Sequence, residues 1–278
     1  MKLLDGQVVL VTGAARGLGW GIARAFGQAG AKVCVTDINM QELARAERDL
    51  RADEADVLAL PLDVSDLAAW DVTVQWVVEQ CGRLDVLVHN AIFMPLVSFE
   101  DTSPELWWQQ LQVSLGGLFN GTRAVWEVMK RQGGGHIMGI ASGSSVRGFK
   151  DEVTYCTGKH GQEGFVKALS LEAAPYNIAI NTVGPGKMIK PTRIDWATLD
   201  AMPAAEKAGW ADPVVLGQGF VWLAGQPPSR FTGLRFDAGP ISDTLACEGP
   251  DFAFAPEKVT LNPDDFVARQ QWYANYPD

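Results

Sequence analysis

Short apolar runs alternate with amphipathic stretches along most of the chain. Gln7 to Thr12 (Q-V-V-L-V-T) is a β-branched run ending at Gly13, the pattern of a buried parallel strand. The turn T-G-A-A-R-G-L-G follows at once. It opens a stretch in which Ile22, Ala23, Phe26 and Ala29 recur at helical spacing until Gly30 closes it. Lys32 to Thr36 predicts a second strand, Met40 to Ala52 a charged amphipathic helix, and Val57 to Leu62 a third strand. Asp66 to Cys81 predicts a helix and Leu84 to His89 a fourth strand. Ser103 to Arg131 predicts one or two helices, and His136 to Ile140 a strand. A helix carries Tyr155 through Phe165 and Leu171 to Pro175, Ile178 to Val183 predicts a strand, and the stretch from Ile194 to Ala211 has little regularity. Asp212 to Ala224 then predicts a helix with Asp212 as N-cap and Pro213 in its first position. Strands and helices in alternation predict a parallel sheet covered on both faces, with ligands beyond the carboxyl ends of the strands.

Composition narrows the function classes. With 278 residues the chain suits one large α/β domain and can bury a substantial core. A net charge of −10 without a basic run argues against nucleic-acid binding. The longest apolar runs are strand-sized, so no membrane role is expected. The start, M-K-L-L-D-G, lacks the apolar core of a secretory signal, which predicts a cytoplasmic protein. Cys34, Cys81, Cys156 and Cys247 lie far apart without a C-x-x-C pair, so neither a metal site nor a disulfide frame is expected.

The turn after the first strand is the first chemical signal. Gly13 permits the tight bend, Gly17 lets backbone approach a pyrophosphate, Gly19 allows close packing, and the helix N-terminus attracts negative charge. Asp37 ends the second strand, where a dinucleotide-binding unit carries an acid for the ribose hydroxyls. A carboxylate there accepts hydrogen bonds from NAD and repels the 2′-phosphate of NADP, so NAD is the expected cofactor. Arg16 pulls the other way, since a guanidinium near the adenosine end pairs with phosphate. Asp63 and Asn90 stand at the ends of further strands. Tyr155 and Lys159 are four apart, so on a helix they share one face. A phenol ionises at about pH 10 in water, and a neighbouring ammonium stabilises its anion. Ser142, just beyond the strand at His136 to Ile140, offers a hydroxyl to a substrate oxygen beside that phenol. Taken alone the pair also suits an ordinary exposed helix face, and the upstream motifs decide between the two.

T-G-A-A-R-G-L-G, L-D-V at Leu62 to Val64, H-N-A at His89 to Ala91, Ser142, Tyr155 to Lys159, and P-G at Pro185 and Gly186 stand in one order and spacing. That set resembles the short-chain dehydrogenase/reductase family over roughly residues 5 to 240. The resemblance implies a Rossmann-type doubly wound parallel sheet in a single three-layer α/β/α domain. It also implies a homo-oligomer, tetramer or dimer, that moves a hydride between nicotinamide and an alcohol or carbonyl carbon of a small molecule. By motif position Ser142, Tyr155 and Lys159 match the catalytic groups, with Tyr155 and Lys159 also at the cofactor. Gly13, Arg16, Gly17, Leu18 and Gly19 match the turn at the cofactor, and Asp37 and Ile38 the residues at its ribose. Asp63 and Val64 match adenine contacts, Asn90 and Ala91 ribose contacts, and Pro185, Gly186 and Met188 the nicotinamide end. Thr232 to Gly239 resembles the last strand, residues 187–212 the substrate lid, and residues 241–278 an extension on the same domain or a neighbouring subunit. Asn262 and Pro263 are expected to start a terminal helix in that extension.

Three departures from the family pattern bear on function. Ile92 replaces a glycine after His89, Asn90 and Ala91. Ser114 stands where the family commonly carries a catalytic Asn that holds a helix distortion, whose carbonyl binds a water linking the lysine to solvent. Serine also bonds locally to backbone, and Gly116 and Gly117 favour distortion, so an altered but working relay is expected. Lys190 replaces a threonine, and with Lys187 and Arg193 forms a cationic cluster of solvated loop charges, of contacts to the cofactor's phosphates, or of a site for an anionic group on the substrate. Trp196, Leu199, Met202 and Trp210 in the lid, with Phe93, Ser144 and Phe149 opposite, are expected to line a partly apolar pocket. The competing reading is an NAD-binding sensor that kept the fold and lost turnover.

Overall fold

The apolar runs form β1 (Val8–Thr12), β2 (Lys32–Asp37), β3 (Val57–Pro61), β4 (Val86–His89), β5 (Gly135–Ile140), β6 (Ile178–Gly184) and β7 (Arg235–Asp237). The computed structural model describes residues 2–254, and in it these strands pair in parallel in the order β3-β2-β1-β4-β5-β6-β7. After β3 the chain crosses back to the far side of β1. That reversal opens a crevice at the carboxyl ends of β1 and β4, the place where such sheets bind ligands.

Helices α1 (Gly17–Gln28), α2 (Met40–Ala52), α3 (Leu67–Cys81), α4 (Pro104–Leu111) and α5 (Gly117–Gln132) precede β5. Helix α6 (Val153–Ala173) joins β5 to β6, and α7 (Trp196–Ala201), α8 (Ala204–Lys207) and α9 (Pro213–Ala224) lead to β7. Helix α10 (Ala238–Glu248) follows directly. Alternate strand residues face opposite ways. Val9 and Val11 pack with Ile22, Phe26, Leu43 and Phe220 on one side, whereas Val8 and Leu10 pack with Trp70, Val125 and Val166 on the other. Fully burying a side chain such as Phe26 contributes about 1.5–3 kcal/mol. The result is the three-layer α/β/α arrangement expected from the alternating pattern.

Local chemistry sets most boundaries. Asn39, Asp66, Ser103 and Asp212 cap α2, α3, α4 and α9 by accepting backbone N–H groups of the first turn. The long helical stretch after Ser103 is interrupted by a π turn at Gln112–Gly116. There the Ser114 hydroxyl donates to the Gln110 carbonyl at 2.8 Å, bonding back into the helix. Gly117 is required beside it, because a Cβ would stand 2.6 Å from the His89 ring. The distortion expected from Ser114 and the paired glycines is therefore present.

The structure corrects two expectations. The stretch from Ile194 to Ala211 is not irregular: Asp195 accepts the Thr198 N–H at 2.8 Å and starts α7, and α8 follows. The last strand is only Arg235–Asp237, because Ala238 already begins α10, with Pro240 in a first turn that needs no N–H from it. Residue 241, where the extension was expected to begin, lies inside α10, whose Ala238 and Ile241 are buried in the core shared with α9. The expected terminal helix from Asn262 lies outside the described residues. Among the described residues no helix is long and apolar enough to cross a membrane, and no group of three metal-binding side chains gathers.

Candidate active site

The glycine-rich turn sits at the carboxyl end of β1. Gly13 has φ +62°, and a Cβ there would stand 2.7 Å from the Ala91 Cα, so the turn and the strand-β4 loop touch through bare backbone. Asn90 holds that contact, donating through Nδ2 to the carbonyls of Thr12 and Gly13 at 3.0 and 2.9 Å. The backbone N–H groups of Asn90 and Ala91 both donate to the Thr12 hydroxyl. The Asn90 side chain thus braces the turn. Gly17 has φ +59°, and α1, which it opens, has no side-chain cap, unlike α2, α3, α4, α7 and α9. Its first N–H groups are left for an anion, so the residues present fit a pyrophosphate.

Asp37 closes β2 beside this turn. One carboxylate oxygen accepts the Ala15 N–H at 3.2 Å and the other the Asn39 N–H at 2.9 Å. Each oxygen keeps lone-pair capacity for a further donor. Arg16 does not stand free: its guanidinium lies 3.1 and 3.0 Å from the two Glu42 oxygens. Ile38 is exposed next to Asp37, and Leu18 is half-buried behind the turn. Asp63 folds back on Ser65, accepting its N–H and hydroxyl, while the Val64 carbonyl is filled by Trp70 and Asn120.

Ser142, Tyr155 and Lys159 do converge. Ser142 follows β5, and its hydroxyl faces the Tyr155 phenol. The Lys159 ammonium lies 5.6 Å from the centre of the Tyr155 ring. Lys159 is buried, and donates to the Ile140 carbonyl and to Gln162 Oε1. Burial pushes its pKa down to about 7, with Glu163 opposing the shift. The expectation that Lys159 pulls the phenol down is not met in the protein alone. Burial raises the Tyr155 pKa, Ser142 opposes that rise, and Glu152 adds to it. Desolvation wins because the lysine charge is itself depressed and turned toward Ile140 and Gln162.

The Ser114 side chain points into its own helix, so what this position offers the site is its main-chain carbonyl. Beyond β6, Gly186 has φ +65° and no room for a Cβ against Asp237 and Pro240. The Pro185 carbonyl accepts the Gly239 N–H, and the carbonyl of the exposed Met188 accepts the Ala211 N–H. The cationic cluster is dispersed. Lys187 pairs with Asp243, Arg193 is exposed, and Lys190 lies over Gly17, where burial and the neighbouring Arg16 lower its pKa.

Trp196, expected with Leu199 and Trp210 to line a partly apolar pocket, shares a cavity with both and has a second role. It seats on the glycine-rich turn, donating to the Ala15 carbonyl at 2.8 Å, edge-on to Trp20 and beneath the Arg45 guanidinium. With Leu18, Lys190, Leu199 and Trp210 it lines a cavity of about 370 Å³ between α1 and the segment that carries α7 and α8. Phe149 stands over Gly143 beside Ser142. Sequence reasoning missed the Glu42 and Gln162 contacts, both of which join residues that sequence patterns do not pair.

Comparison with known proteins agrees with this architecture. A family model described as short chain dehydrogenase matches residues 7–201. The chain is 35% identical over 241 residues to a 3-alpha-(or 20-beta)-hydroxysteroid dehydrogenase of Mycobacterium bovis, covering 86% of this chain and 91% of that one. It is 35% identical over 191 residues to trans-4-hydroxycyclohexanecarboxylate dehydrogenase of Sinomonas cyclohexanicum, covering 66% and 73%. A metagenomic short-chain oxidoreductase solved in complex with NADP superposes with a TM-score of 0.71 at 26% identity, covering 83% of this chain and 95% of that one.

Proposed function

The chain belongs to the short-chain dehydrogenase/reductase family of oxidoreductases acting on CH–OH groups, and we propose that it uses NAD to interconvert a secondary alcohol and its ketone through Ser142, Tyr155 and Lys159. The observation that carries this reading is the gathering of those three side chains at the carboxyl end of the sheet, with the ammonium 5.6 Å from the phenol ring centre. Gly13, Gly17, Leu18 and Gly19 hold the pyrophosphate, with Lys190 above them as counter-charge. Asp37 and Ile38 meet the adenosine ribose, Asp63 and Val64 the adenine, and Pro185, Gly186 and Met188 the carboxamide end. When bound, the oxidised nicotinamide accepts the hydride and adds positive charge to the site.

In the oxidation direction the Ser142 hydroxyl orients the substrate oxygen, and Tyr155, as phenolate, takes its proton. Lys159 stabilises the phenolate. Bringing a phenol from about 10 to about 7 requires about 4 kcal/mol of differential stabilisation, and burial adds to that demand. A charge in a sheltered site supplies energies of this size.

Two features support NAD over NADP. The Asp37 carboxylate stands beside the glycine-rich turn with lone pairs left to accept ribose hydroxyls, and Arg16 is paired with Glu42. Exposed Trp108, Phe119 and Leu171 on α4, α5 and α6 support a homo-oligomer, and the reading is of a cytoplasmic enzyme. Following reduced-nicotinamide absorbance with NAD or NADP across a panel of secondary alcohols tests the proposal. NAD-linked turnover is expected; NADP preference overturns the cofactor assignment, and no turnover with either cofactor overturns the enzymatic one.

A further inference from the structure

Gln162 is 1% exposed and lies on α6 one turn beyond Lys159. Its Oε1 accepts from the Lys159 ammonium at 3.2 Å, and its Nε2 donates to the Ser114 carbonyl in the π turn at 2.9 Å. Only one orientation of the amide satisfies both partners, because an ammonium only donates and a carbonyl only accepts. The same carbonyl faces His89 Nε2 at 3.0 Å. The histidine's role follows from Thr12, whose hydroxyl oxygen already accepts two backbone N–H groups, so its single hydrogen goes to His89 Nδ1. Nδ1 therefore accepts and Nε2 carries the proton. Burial keeps the ring neutral, with its pKa pushed down to about 4. Both lone pairs of the Ser114 carbonyl are thus filled by protein N–H groups.

We propose that Gln162 is the positioning residue of this site: it seats the Lys159 ammonium against the π turn and, with His89, closes the Ser114 carbonyl, so Lys159 serves as a pinned charge with no water path to solvent through that turn. The inference rests on the Ser142, Tyr155 and Lys159 reading above. Two of the three ammonium hydrogens are committed to Ile140 and Gln162, and one is left for the site. A carboxamide neither gains nor loses a proton near neutrality, so it fixes the charge without passing a proton onward. Because Lys159 is buried, each acceptor oxygen decides whether it stays ionised. The titratable groups around it are Tyr155 and Glu163 on its own helix and His89 on β4. Glu163 is in turn held by Thr182 and lies 3.7 Å from Arg235.

The test titrates Lys159 in the protein without nucleotide, by competitive amine labelling and mass spectrometry across pH, in wild type and in Gln162→Leu and Gln162→Glu. Gln162→Leu removes an acceptor and is expected to lower the Lys159 pKa by about one unit, the size of a lost hydrogen bond to a charged group. Gln162→Glu places a carboxylate there and is expected to raise it, which keeps the test decisive if the leucine variant does not fold. In the folded leucine variant, the pH profile of kcat/KM is expected to move by a matching amount. Unchanged Lys159 titration in a folded variant overturns the proposal. A wild-type protein that turns over no alcohol, yet whose labelling shifts as stated, instead defeats the dehydrogenase reading and leaves the seat of Lys159 in place.

Discussion

The Arg16 guanidinium lies 3.0 Å from a Glu42 carboxylate oxygen, joining the glycine-rich turn to α2 one residue from the amide that Asp37 binds. The pair holds back a cation near Asp37 that would otherwise recognise a 2′-phosphate. Glu42→Gln is therefore expected to raise kcat/KM with NADP about tenfold relative to NAD, by freeing a guanidinium for a charge-assisted bond. Asp37→Ser adds to that shift by removing a repelling carboxylate. Steady-state kinetics with both cofactors checks the order of effects, and an unchanged ratio in Glu42→Gln rules out the pair as a determinant.

Trp196 ties α7 to the turn by one hydrogen bond, one aromatic edge contact and one cation–π contact. These contribute about 1 kcal/mol each. Trp196→Ala is expected to loosen α7, seen as faster amide exchange over residues 196–201, and to raise the KM for NAD several-fold. Exchange identical to wild type would mean that α7 is held elsewhere.

Two helical glycines are expected to respond oppositely to alanine. At Gly121 a Cβ would meet the fully buried Trp70 ring at 2.7 Å, and overpacking costs about 1–3 kcal/mol against about 1 kcal/mol gained in helix propensity. At Gly164 nothing lies within 4 Å, so only the gain remains. Urea unfolding should show Gly121→Ala less stable than wild type and Gly164→Ala more stable by about 0.5–1 kcal/mol.

Acid should weaken the fold through two buried histidines. Burial pushes His89 and His136 each down to about 4, from about 6.5 when unfolded. A depressed pKa means that this stability is whole above about pH 6.5 and is lost as pH falls through 4, on the order of 3 kcal/mol per group. Denaturant midpoints measured from pH 7 to 4 should fall across that window. A flat profile would mean that these rings are not held neutral in the fold.

Residues whose signals are local were legible in the sequence. Asp212 marks a helix start by a side chain that caps it, and α2 spans Met40–Ala52 as the charge pattern predicts. The bend at Ser114 was readable because a serine that bonds backwards and two glycines stand together. Contacts across the fold were not readable. Gln162 looks like any polar residue on an amphipathic helix, and only the π turn brought against it makes it a bridge between Lys159 and Ser114. Trp196 reads as a pocket aromatic, and nothing local shows that it also packs on a turn 181 residues earlier. Helix α10 was hidden because Gly239 and Pro240 look like a turn, although a proline in a first helical turn loses no hydrogen bond.

The central claim is that Tyr155 carries the proton in an NAD-linked oxidation, and the direct measurement is reduced-nicotinamide formation by wild type and Tyr155→Phe on the secondary alcohol that wild type turns over best. The account predicts a fall of about 10²–10⁴ in kcat with NADH binding retained by fluorescence titration. Wild-type kcat in the phenylalanine variant would contradict it.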